Sequence, residues 1–77
     1  MGMDKKQAAV MAVIELETKL HFDRDHDGAR TLTQPDCDSA RASVDAAGHL
    51  RPSIVHSTLL FHIERAGRWL AGRGTQG

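Results

Sequence analysis

The sequence predicts an all-α fold, a small three-helix domain that closes surplus apolar surface by self-association. Three observations carry this. Residues 53–70, SIVHSTLLFHIERAGRWL, hold the longest run of large apolar residues and the one Trp. Wound as a helix, they gather Val55, Leu59, His62, Ile63, Ala66, Trp69 and Leu70 into an arc of roughly 120°, the width of a core-facing stripe. Residues 4–20 are dense in strong helix formers. Thr33, Pro35 and Asp36 together make a helix-start signature.

In the first segment Asp4 stands as N-cap and Ala9, Ala12, Val13, Leu16 and Leu20 form one stripe. Val10 and Ile14 widen it, giving more apolar surface than one partner helix covers. A period-2 alternation from Ala8 to Phe22 competes for the same residues, but a strand of that length would exceed the usual ~3–10 residues. Residues 23–28, DRDHDG, read as a turn or loop.

The second helix is expected over 35–47, with Thr33 as N-cap and Asp36 completing a capping box in place of Glu. Its stripe of Cys37, Ala40, Val44 and Ala47 permits close approach of a neighbour. Gly48 suits a left-handed C-terminal position, with Leu50 as the apolar contact beyond it. Ser53, after Pro52, caps the third helix. Gly67 marks a close crossing or an early end, Arg65, Arg68 and Arg73 favour the C-terminal end of the dipole, and 72–77 is expected to be a frayed tail. Ile54 and Phe61 share a second, smaller apolar patch off the main stripe.

A small all-β barrel or meander is the alternative. Acidic-x-x-Gly tetrads recur at 25–28, 45–48 and 64–67, spaced as hairpin turns would be. Aromatics at 4% and the absence of Tyr speak against strands.

A 77-residue chain makes one domain, 1–77, and buries only about 60% of its unfolded surface, so a second copy would add needed stability. Cys37 is the sole cysteine, which excludes an internal disulfide, suits a reducing compartment, and reads as a small buried apolar residue. No apolar run approaches the ~18 residues of a membrane span, and no signal-peptide core opens the chain, so the expected location is cytoplasmic. Lys6 occupies the position where a myristoylation signal needs Ser or Thr.

The formal net charge is zero, which removes the long-range field that draws proteins to nucleic acid. The charge is uneven, however. Residues 1–29 hold Lys5, Lys6, Lys19 and Arg24 against six acids, and residues 30–77 hold six arginines against Asp36, Asp38, Asp45 and Glu64. An acidic half thus complements a basic half, an arrangement that helps chains associate or merely solvates them, ahead of a nucleic-acid patch.

Two clusters bear on chemistry. Asp23-Arg-Asp25-His-Asp27-Gly28 resembles the first half of an EF-hand calcium loop, in which alternate carboxylates converge on a hard cation and Gly permits the turn. The resemblance implies Asp23, Asp25 and Asp27 as calcium ligands. It departs at Arg30, where an aliphatic residue belongs, and at Gln34, where a bidentate Glu belongs; only a two-residue insertion would bring Leu32 and Asp36 into those roles. The five histidines are the other cluster. His56 and His62 are six apart and share no metal-binding face, while His21 and His26 flank the acids and would need a further ligand for zinc. His62, on the apolar stripe, is expected at the core or an interface with one hydrogen bond, where burial would tie assembly to pH near 6.

Ser53, Ser57 and Thr58 lack a nucleophile elbow, Cys37 lacks a His partner, and no phosphate loop occurs, so an enzyme is not expected. The expectation is a homodimeric, non-enzymatic interaction or regulatory module with Val10, Ile14, Ile54, Phe61 and His62 at its interface. The runners-up are a calcium module and a weak nucleic-acid binder using Arg65, Arg68 and Arg73.

Overall fold

The computed structural model describes residues 4–25, 31–49 and 53–76. They form three helices, α1 (Lys5–Asp25), α2 (Gln34–Gly48) and α3 (Ile54–Gln76), with no strand among the described residues. The all-α expectation holds and the β alternative falls: 45–48 lies in α2 and 64–67 in α3, while of 25–28 only Asp25 is described, as the last residue of α1. A helical acidic-x-x-Gly tetrad is a polar face followed by a small residue, and tertiary packing overrides the turn preference.

Each helix packs on both others, so each needs a broad stripe. α1 buries Ala9, Val13, Leu16 and Leu20, α2 buries Cys37, Ala40 and Val44, and α3 buries Ile63 and Ala66. Leu32, before α2, caps this core, and Leu59, Leu60, Trp69 and Leu70 close its edge. Ala9, Ala40 and Ala66 are almost without exposure; with only a methyl each, they let backbones approach while Leu16 and Leu20 fill the space between. Val55, expected in the stripe, is exposed instead, and Leu60, off the stripe, is drawn in.

The starts are encoded locally. The Thr33 backbone N–H and hydroxyl donate to Asp36 Oδ2 (2.9 and 2.8 Å), and the Asp36 N–H turns back to Thr33 Oγ1 at 3.4 Å, a complete capping box with Pro35 in the first turn. The His56 N–H donates to Ser53 Oγ at 3.2 Å, capping α3. At α1, the Asp4 carbonyl receives the Ala8 N–H at 2.8 Å.

The ends depart from expectation. α1 runs through the anticipated turn to Asp25, since Leu20 and Asp23 continue the buried face. α3 passes Gly67 without a close crossing or an end, nothing beyond the adjoining residues and the helix's own backbone lying within 4 Å of the place a Cβ would take. It continues to Gln76 where a frayed tail over 72–77 was expected. Gly48 is right-handed and helical, followed by His49 at φ −54° and ψ −39°. Leu50 lies outside the described residues.

Candidate functional site

The sites follow from what three helices cannot cover. Between α1 and α3 runs a groove of about 530 Å³, with Val10, Val13 and Ile14 on one wall and Thr58, Leu59 and His62 on the other. Ile14 is 52% and Phe61 55% exposed. The Phe61 ring meets His62 edge-on, centroids 5.7 Å apart and planes at 76°, and so extends the α3 wall outward. Ile54 lies two turns before Phe61 on the same face and is 86% exposed. The apolar interface residues named from the sequence are therefore at the surface, and Met11, Phe22 and Val55 join them as exposed large apolar side chains. Met11 and Phe22 lie off the buried stripe of α1, on its outer side.

A salt-bridged crossing spans the two walls of this groove. His62 Nδ1 lies 2.7 Å from Glu17 Oε1, and Arg65 approaches Glu17 Oε2 at 3.8 Å. The one hydrogen bond expected of His62 is thus made within the chain, to α1, and His62 is half-buried.

The groove continues, over Val10 and Leu59, into a cavity of about 330 Å³ at the end of the bundle where α1 begins, α2 ends and α3 begins. Ala9, Val44 and Ala47 floor it; Val55, Lys6 and His56 stand around it. Gly48 matters here for a reason other than conformation. A Cβ on it would land within the His56 imidazole, Nε2 included at 2.9 Å, so only glycine lets the ring lie on the end of α2.

At the opposite end Asp23 organises the return from α1 to α2. Its side chain is fully shielded. Oδ1 accepts the Thr31 N–H at 2.7 Å, and Oδ2 accepts the Leu32 N–H at 2.7 Å and an Arg73 N–H at 3.1 Å. The Thr31 hydroxyl, with one proton to give, lies 2.8 Å from Oδ1 and 3.0 Å from the Lys19 carbonyl oxygen. Burial pushes the Asp23 carboxyl up, but those donors outweigh it and hold it down at about 2. Arg73 also lies over the Trp69 ring, 4.9 Å from its centroid.

Of the acids named as calcium ligands, Asp23 is a buried carboxylate whose two oxygens accept from Thr31, Leu32 and Arg73, and Asp25 is helical and faces His21 at 3.0 Å on the surface. Asp27, His26 and Arg30 lie outside the described residues. Among the described residues no three His, Cys, Asp or Glu side chains converge as a metal ion requires. Two of the three arginines considered for nucleic acid, Arg65 and Arg73, turn to carboxylates of this chain.

Lys19 crosses to Asp36 at 2.8 Å and, with the Thr33 donors, holds that carboxyl below its ordinary value. Cys37 is buried and its thiol is pushed up by that burial and by Asp36 and Asp38, the opposite of an activated nucleophile. No described helix is long and apolar enough to cross a membrane. Compared with protein-family models, curated proteins and solved structures, the chain matches none.

Proposed function

We propose that this chain is a non-enzymatic interaction module that works as a homodimer, pairing through the α1–α3 face. The observation that carries the reading is the set of exposed large apolar side chains on this side of the bundle: Val10 and Ile14 line the α1 wall of the groove, and Phe61 and Ile54 stand on the adjoining surface of α3. Contiguous exposed apolar surface on a small chain marks an interaction site.

A second copy of the same chain would meet this face in a two-fold pairing, in which the same patch serves both protomers. The test is molar mass by sedimentation over a wide concentration range, for the native chain, Ile14→Glu and Phe61→Glu. Both positions are more than half exposed, so helicity should survive. The native chain is expected at twice its mass and each variant at the single-chain mass. A native chain that stays monomeric at all concentrations, or variants that dimerise as before, would refute the reading.

A further inference from the structure

From the cavity at the end of the bundle we infer a binding site for a small amphipathic anion, a free medium-chain carboxylate with its alkyl chain inside and its head group at Lys6 and His56. This goes beyond the dimer reading and does not depend on it. At about 330 Å³ the cavity is at the low end of the ~300–1,000 Å³ of small-molecule sites. That volume suits one alkyl chain, not the two of a membrane phospholipid. Ala9 and Val44 form a floor without solvent exposure, and Val55, 60% exposed, stands at the rim with Val10. An alkyl chain laid there would cover the apolar surface of Val55 and Val10, which the fold leaves in water.

The polar groups point to the sign of the head. Lys6 and His56 line the same cavity, and among the described residues neither side chain is held by an ion pair or a side-chain hydrogen bond. An ammonium and a ring N–H are donors, and no carboxylate lines this cavity among the described residues. A carboxylate on the ligand would complete the set with charge-assisted hydrogen bonds, whereas a cationic head would meet Lys6 alone. Ala47 keeps the α2 side of the cavity open because it carries only a methyl, and Gly48 gives room for the His56 ring.

The test is titration of the full chain with sodium hexanoate, heptanoate and octanoate below micelle formation, followed by methyl and amide NMR. Saturable shifts confined to Val10, Val44, Ala47, Val55 and Leu59 are expected. Affinity should rise about fourfold for each added methylene. Lys6→Glu, an exposed first-turn position where an acid suits the helix dipole, should weaken octanoate about tenfold and leave 1-octanol unchanged. Val55→Asp should weaken both. Shifts scattered over the outer face at Met11 and Phe22, absence of chain-length dependence, or equal affinity in Val55→Asp would overturn the site. Equal loss of octanoate and octanol in Lys6→Glu would overturn the anionic head. Repeating the titration on Phe61→Glu separates this result from dimerisation: binding retained there stands even if the chain is monomeric.

Discussion

Removing the Asp23 carboxylate tests the fold at the point where all three segments meet. In Asp23→Asn the shape stays but the charge goes. Folding takes the carboxyl from its ordinary 3.8 to about 2, which corresponds to at most about 2.5 kcal/mol. Arg73 is partly in solvent and its contribution is screened there, so about 1–2 kcal/mol is expected. Asp23→Ala goes further, leaving the Thr31 and Leu32 N–H groups without their acceptor. An orphaned buried donor costs about 1–3 kcal/mol; counting the buried Leu32 N–H alone, the sum of about 2–5 kcal/mol is a large share of the roughly 4–11 kcal/mol that 77 residues command. The assay is urea unfolding followed by helical circular dichroism, native against Asn and Ala variants, from pH 7 down to pH 2. Because the folded value lies below the unfolded one, the stabilisation is fully present above about pH 4 and is lost as pH falls toward 2. The gap between native chain and Asp23→Asn should be flat from pH 7 to 5 and close below 4. A gap that stays open at pH 2, or a cost below about 1 kcal/mol for Asp23→Ala, would refute the capping role.

Three further outcomes follow from packing. Gly48→Ala should destabilise by about 1–2 kcal/mol despite the better helix propensity of Ala, since its methyl meets the His56 ring; adding His56→Ala should recover most of the loss, as a double-mutant cycle by thermal unfolding would show. Gly67→Ala should instead stabilise by about 0.5–1 kcal/mol, because the site is helical with open space around it; the same melts check it. Cys37, buried with its thiol pushed up, should resist iodoacetamide at pH 7.5 in the folded chain and react once urea unfolds it, which mass spectrometry reads directly.

What the sequence discloses is what helical period and local capping determine. Ala9, Val13, Leu16 and Leu20 recur at three and four, so their shared burial follows from the helix itself, and Thr33 with Asp36 closes a box only three residues long. Asp23 was opaque because its partners lie 8, 9 and 50 residues away. A carboxylate in a DRDHDG run looks like a solvated loop acid until Thr31, Leu32 and Arg73 are brought to it. Gly48 is opaque on the same ground, since its requirement comes from a ring on the next helix rather than from its own φ.

Val55 and Leu60 mark the remaining limit. An angular stripe says which way a residue points on α3 but not how far along it the neighbours extend. Val55, one residue into the helix, overhangs the end of the bundle and is exposed, while Leu60 is covered because α3 has two neighbours. The surplus apolar surface at Val10 and Ile14 was legible because it is a count against one partner's coverage. Where it emerged depended on the crossing of Glu17 with His62 and Arg65, which fixes α1 against α3 across the walls of the groove and leaves the cavity at the end where α1 begins.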